Sequence, residues 1–76
     1  MKYELTEKEI QDMAKRFTYH PPKFDQPARY VEMRDTFFAL AMGVCQNCPD
    51  SRERSLALTK LEEAVMWANA AIARNE

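Results

Sequence analysis

The residues with the most distinctive chemistry lie between Lys15 and Arg34 of the 76-residue chain. This segment holds five basic residues against two acidic ones, whereas the whole chain has a net charge of −1. It also carries the ring side chains Phe17, Tyr19, His20, Phe24 and Tyr30. Aromatic rings stack on nucleobases and cations bind phosphates, so the segment has the side chains that a small nucleotide ligand requires. On composition alone, a solvated charge cluster beside packing aromatics is the commoner origin of such a pattern.

Two further groups of residues have chemical potential of a weaker kind. The adjacent prolines Pro21 and Pro22 stiffen the loop after His20, which lowers the entropy lost when a ligand binds. Near the end of the chain, Trp67, Asn69 and Arg74 form a second candidate group. Each also has a structural explanation, because tryptophan anchors cores, a polar residue among alanines sets register, and arginine suits a helix C-terminus.

No pattern in the sequence predicts catalysis, a metal site or a cofactor. The chain has one histidine, and its single glycine, Gly43, cannot form a phosphate-binding loop. Cys45 and Cys48 form a C-Q-N-C motif, but a structural zinc site requires four ligands and a redox pair normally opens a helix. Two reduced thiols are therefore expected here, with metal binding and redox activity as the alternatives.

Composition also restricts the environment and the class of partner. No apolar run approaches the length of about 18 residues that a membrane span requires, and the charged N-terminus has no signal-peptide core. Eleven basic and twelve acidic residues do not make the basic surface that binds DNA or RNA polymers. We therefore expect a cytoplasmic protein without membrane or nucleic-acid polymer partners.

The pattern of the chain predicts an all-α fold in a single domain over residues 1–76. A short first helix is expected after Thr6, which has capping-box spacing to Glu9. A long antiparallel hairpin should follow, with one helix from Pro27 to about Gln46 and another capped by Asp50 or Ser51.

Both long helices carry apolar residues beyond the single seam that a hairpin needs. The expected seam consists of Tyr30, Met33, Phe37, Leu40, Ala41 and Val44 on one helix and Leu58, Leu61, Val65, Ala68 and Ile72 on the other. A second apolar side contains Val31, Phe38, Met42, Leu56, Ala64, Trp67 and Ala71. Small chains bury little of their surface alone, so this second side predicts a homo-oligomer. A monomeric three-helix bundle, with the first helix covering that side, is the alternative.

The sequence resembles a known family along most of its length. The matching residues are Thr18-Tyr19-His20-Pro21-Pro22, Arg29-Tyr30 and Met33-Arg34, followed by the run Pro49 to Leu58 and the run Leu61 to Asn75. Together they are similar to the phage anti-CBASS cyclic-oligonucleotide sponges, whose helical-hairpin domain is shared with a Thoeris anti-defence sponge family.

The resemblance implies a counter-defence function without catalysis, in the cytoplasm of an infected bacterial host. Such proteins are compact hexamers that sequester cyclic dinucleotides, and in some members cyclic trinucleotides, so that the defence effector is never activated. By this resemblance Tyr19 covers a base, Lys23 contacts a phosphate, His20 donates to either, and Pro21 shapes the wall. Arg29, Tyr30 and Arg34 complete the site, unless Arg34 instead pairs with a carboxylate such as Glu63. Arg54, Asn69 and Arg74 are assigned to a second ligand pocket.

Two other functions remain open from the sequence. A small helical protein-interaction module would bind a host protein through the second apolar side and would have no nucleotide ligand. A helix-turn-helix regulator would need a basic recognition helix. The basic residues that begin the last helix are offset by Glu53, Glu62 and Glu63, which argues against it.

Overall fold

The chain folds into three helices without strands over the residues that the computed structural model describes, 2–76. Helix α1 spans Glu7–Phe17, α2 spans Gln26–Asn47 and α3 spans Arg52–Asn75. The all-α prediction and the order of a short helix followed by a long hairpin are confirmed. The predicted start at Pro27 and end at Gln46 each lie one residue from the observed bounds of α2.

Helix α1 begins with the capping box that the spacing predicted. The backbone N–H of Glu9 donates to Thr6 Oγ1 at 3.1 Å, and the backbone N–H of Thr6 donates to Glu9 Oε1 at 3.0 Å. These bonds satisfy two backbone donors that a helix start otherwise leaves to water.

The turn between α2 and α3 is closed by the first residues of α3. Ser51, one of the two predicted caps, accepts the backbone N–H of Arg54 at 3.1 Å. Asp50, the other, pairs with the Arg54 guanidinium at 3.4 Å. Arg54 Nη1 also donates to the carbonyls of Cys45 and Cys48, at 3.4 and 3.3 Å. Arg54 therefore caps the C-terminus of α2, and both cysteines nearby are free and exposed.

The packed seam of the hairpin largely matches the predicted one. Tyr30, Met33, Phe37, Ala41 and Val44 on α2 are half-buried, as are Leu58, Leu61, Val65, Ala68 and Ile72 on α3. The exception is Leu40, which is 51% exposed. Its position at the margin of the α2 stripe turns it away from α3.

The second apolar side of the hairpin is exposed in the single chain. We call the residues Val31, Phe38, Met42, Leu56 and Trp67 the outer apolar face, and all five are at least 44% exposed. Helix α1 does not cover this face with its own apolar residues, because Ile10, Met13 and Phe17 are themselves exposed. The chain is thus a flat body of 50 × 37 × 13 Å rather than a closed three-helix bundle.

Within residues 2–76 no hydrophobic side chain is fully buried. None of the helices described is long and apolar enough to cross a membrane. Over the same residues, no three side chains of the metal-binding types come together in a way that would hold an ion.

Candidate functional site

The loop between α1 and α2 lies at the open end of the hairpin, where α2 begins and α3 ends. His20 fixes the start of this loop, because its Nε2 donates to the carbonyl of Lys15 at 2.7 Å. With Nε2 as the donor, a neutral His20 ring leaves Nδ1 as an acceptor. Phe24 ends the loop in the left-handed region, at φ 53°, and its side chain is 94% exposed.

Gln26 joins the loop to the end of α3 and is the one buried residue among those described, at 2% exposure. Its Oε1 accepts the backbone N–H of Lys23 at 3.1 Å and the Tyr30 hydroxyl at 3.5 Å. Its Nε2 donates to the carbonyl of Ile72 at 3.5 Å and to Glu76 Oε1 at 3.3 Å. A single amide therefore holds α2, the loop and α3 together.

Lys23, the predicted phosphate contact, and Arg29, predicted to complete the site, both contact Glu76, the C-cap of α3. Lys23 Nζ donates to the main-chain oxygen of Glu76 at 2.7 Å, and Arg29 Nη2 pairs with its carboxylate. Arg29 Nε also lies 3.6 Å from Asp25, too long for a hydrogen bond, and has no hydrogen-bond partner. Lys15 adds a bond from α1, donating to Asn75 Oδ1 at 2.9 Å.

A concavity of about 300 Å³ lies between α2 and α3 at this end. Its lining consists of His20, Tyr30, Arg34, Asn69, Ala70 and Ala73. Three of the seven site residues predicted in the first half of the chain, His20, Tyr30 and Arg34, thus share one concavity with Asn69, which the sequence assigned to a second pocket. Within the described residues, Arg34 forms no ion pair with Glu63 and stays available to this concavity.

An adjoining concavity of about 310 Å³ lies between the loop and the end of α3. It is lined by His20, Pro21, Lys23, Ala73, Arg74 and Glu76. His20 and Ala73 border both spaces, which therefore lie side by side, and we call the two together the recess.

Asn69 carries the least expected feature of the recess. Its Oδ1 is inaccessible to solvent and has no hydrogen-bond partner within the chain. A buried carbonyl oxygen without a donor costs free energy, on the order of 1–3 kcal/mol. Because water does not reach this oxygen, the N–H group of a ligand would satisfy it only after the Asn69 side chain rotates into the recess.

Three predicted residues, Tyr19, Arg29 and Arg54, do not line this recess. Tyr19 lines neither concavity and is 78% exposed. Arg54 lies at the opposite, closed end of the hairpin, about 30 Å along α3 from Arg74 at 1.5 Å per residue. In one chain Arg54 therefore shares no pocket with Asn69 or Arg74, and its contacts are structural.

A third cleft of about 450 Å³ lies between the end of α1 and α3. Arg16, Phe17, Trp67 and Arg74 line it, and the Arg74 guanidinium sits 5.9 Å from the centre of a Trp67 ring. The cleft combines exposed aromatic rings with arginines, a combination that suits planar anionic ligands.

Sequence reasoning missed two residues of the open end. Gln26 looks like an ordinary loop residue before Pro27, and no local pattern marks it as buried. Glu76 is distant in sequence from Lys23 and Arg29, so only the pairing of helix ends brings them together. The antiparallel hairpin itself was the one available signal, since it places the end of α3 beside the start of α2.

No curated protein and no solved structure matches the chain. The family model of the Acb2/Tad1 hairpin domain matches residues 9–73, which is most of the sequence. The predicted resemblance is thereby confirmed: the chain belongs to the Acb2/Tad1 hairpin-domain family, a family of anti-defence sponges that act by binding.

Proposed function

We propose that this protein is a phage counter-defence protein that sequesters cyclic nucleotide second messengers without degrading them. Its ligands are cyclic dinucleotides, and cyclic trinucleotides are the second ligand class to test. By lowering the free messenger concentration in the cytoplasm of the infected host, it keeps the CBASS effector inactive. Competition with an effector at low messenger concentration requires a nanomolar Kd, about 12 kcal/mol of binding free energy.

The unpaired Oδ1 of Asn69 is the observation that carries the proposal within the family. It is a buried acceptor at the wall of a recess that also holds a phenol, an imidazole and an arginine. Nucleobases present N–H donors at their edges, and the phosphates of a nucleotide match the guanidinium of Arg34. Apolar ligands would leave the Asn69 oxygen unsatisfied.

Each residue of the recess then has a role in binding. Asn69 accepts from the base, and Tyr30 and His20 border the base on the α2 and loop sides. Arg34 and Lys23 bind phosphate oxygens, with Arg29 behind Lys23. Pro21 forms the outer wall. Arg74 contributes from the adjoining concavity, or to a trinucleotide in the cleft that it shares with Trp67.

Self-assembly is part of the proposal, with a hexamer as the expected state. The outer apolar face and the apolar side of α1 are exposed in the single chain, and such surfaces favour burial between subunits. Assembly would also give Tyr19 a role, because its exposed ring would extend over a recess of a neighbouring copy. Arg54 could likewise meet Arg74 only across a subunit boundary.

Native mass spectrometry with a panel of cyclic di- and trinucleotides tests the proposal. We expect a multiple of the 8.9 kDa chain mass that gains intact cyclic nucleotides in fixed stoichiometry. Linear dinucleotides of the same base composition serve as the control ligands. An assembly that binds nothing in the panel would refute the sponge function and favour a protein-interaction module that uses the outer apolar face.

A further inference from the structure

The cations at the open end already hold an anionic side chain of their own chain. Lys23 donates to the main-chain oxygen of Glu76, Arg29 pairs with the Glu76 carboxylate, and Gln26 donates to the same carboxylate oxygen. Three donors from the loop and the first turns of α2 thus converge on one residue. We call Lys23, Gln26 and Arg29 the anion cluster.

The anion cluster is a fixed arrangement rather than a chance surface contact. Gln26 is only 2% exposed. Its Oε1 accepts from the Lys23 backbone N–H and the Tyr30 hydroxyl, and these bonds direct its Nε2 toward Glu76. The Arg29 side chain is 35% exposed and is flanked by Asp25. The Gln26 amide is thus held by bonds that do not involve Glu76, and the Arg29 guanidinium keeps its ion pair with Asp25 when Glu76 leaves.

The chemistry of the cluster suits a phosphate as well as a carboxylate. Both groups present acceptor-only oxygens with negative charge, and charge-assisted hydrogen bonds to arginine and lysine favour both. Glu76 also lines the adjoining concavity together with His20, Pro21 and Lys23. A ligand phosphate entering that space would therefore lie beside both Lys23 and the carboxylate that pairs with Arg29.

We propose that Glu76 is an intramolecular competitor that occupies the anion cluster and is displaced when a phosphate-bearing ligand binds. The identity of that ligand as a cyclic nucleotide rests on the proposed function, whereas the exchange of carboxylate for phosphate does not. The Glu76 side chain is 43% exposed, so its ion pair is partly screened and its release costs little. The apparent affinity of the ligand is reduced by the fraction of molecules in which Glu76 is bound.

Substitution of Glu76 tests the competition. We expect Glu76→Gln and Glu76→Ala each to bind inorganic pyrophosphate and a cyclic dinucleotide roughly threefold to tenfold more tightly than the native chain, as removal of a partly exposed ion pair allows. Glu63→Gln is the control, since it removes the same charge from an exposed pair with Lys60 farther along α3. Calorimetry gives the affinities, and the NMR signal of the Gln26 side-chain amide should shift on addition of either ligand.

The two probes separate this inference from the proposed function. Tighter pyrophosphate binding by the Glu76 variants, with no cyclic nucleotide bound, would support the competition and overturn the sponge function. Cyclic-nucleotide affinities that match the native chain, or fall below it, would overturn the competition and leave the sponge function intact. If neither probe binds any variant, both ideas fail.

Discussion

Two side-chain amides at the open end differ in their hydrogen bonding. Gln26 is buried with four hydrogen bonds to the loop, α2 and α3, whereas Asn69 has a buried oxygen without a partner. A satisfied buried amide stabilises the fold, and an unsatisfied one lowers its stability. The contrast indicates an architectural role for Gln26, and under the proposed function Asn69 binds the ligand, so substitution of each should give a distinct result.

Replacement of Gln26 by alanine is expected to destabilise the protein by about 1–3 kcal/mol, because the Ile72 carbonyl and Lys23 N–H lose a buried partner. Urea denaturation followed by circular dichroism measures the change. Gln46→Ala, an exposed glutamine near the closed end, should stay within about 0.5 kcal/mol of the native chain. Equal stability of the two variants would contradict the role given to Gln26.

Replacement of Asn69 by leucine is expected to weaken cyclic-nucleotide binding about tenfold or more while leaving stability unchanged or higher, because it removes an unpaired acceptor. Calorimetry and thermal denaturation of the same samples measure both effects. Asn47→Leu is the matched control, since Asn47 bonds only to the Gly43 carbonyl near the closed end. Unchanged binding by the Asn69 variant would remove Asn69 from the site.

The helices differ in what stabilises them. Helices α2 and α3 support each other along their seam, but α1 packs little and depends on its capping box and on links such as Lys15 to Asn75. Short helices are marginal in water without such support. Helix α1 is therefore the element whose stability should respond most to local changes, including protonation of its cap.

Acid is expected to fray the start of α1. The Thr6 backbone N–H, and then its hydroxyl, lower the pKa of the Glu9 carboxyl below its ordinary value. A depressed pKa in the folded state stabilises α1 above the ordinary glutamate pKa, and this contribution is lost as pH falls through the lower folded value. Amide NMR signals of Glu9 and Ile10, recorded from neutral pH down to about pH 3, should report the loss.

Glu9→Gln provides the control for this titration. Glutamine keeps the acceptor of a capping box but does not titrate, so the start of α1 should change little with pH in that variant. An identical pH response in the variant and the native chain would mean that another group causes the fraying.

As a whole molecule, the chain has a hairpin seam but no closed core. Among the described residues the buried one is a glutamine, and large apolar side chains on both long helices are exposed. Surfaces of this kind are stable in water when another subunit covers them. The free energy of folding is then linked to assembly, so stability should rise with protein concentration.

Phe38→Glu should convert the proposed assembly to smaller species. Phe38 is 68% exposed in the single chain, so its loss should cost little helix content but would place a charge inside a subunit interface. Sedimentation velocity measures the change in mass. Thr36 lies on the opposite side of α2, because two residues rotate the helix by about 200°. The control variant Thr36→Glu should therefore keep the native mass. A native chain that sediments as a monomer would refute self-assembly.

Local sequence patterns were sufficient to predict the three helices. Thr6 with Glu9, Pro27, Ser51 and the apolar stripes act over three or four residues, and each predicted a helix start or a packed seam that the fold contains. Ser51 rather than Asp50 caps α3, because Ser51 accepts the backbone N–H of Arg54 whereas the Asp50 carboxylate pairs with the Arg54 guanidinium. Leu40 was misplaced, since seam width depends on how two helices pack.

The candidate site could be predicted only in part. Ring and cation types between Lys15 and Arg34 marked the segment, and the hairpin brought His20, Tyr30 and Arg34 into one recess. The contacts of Gln26 with Ile72 and of Glu76 with Arg29 join residues 46 and 47 positions apart. Such contacts follow no local spacing, because the length and alignment of the two long helices determine which side chains meet at the open end.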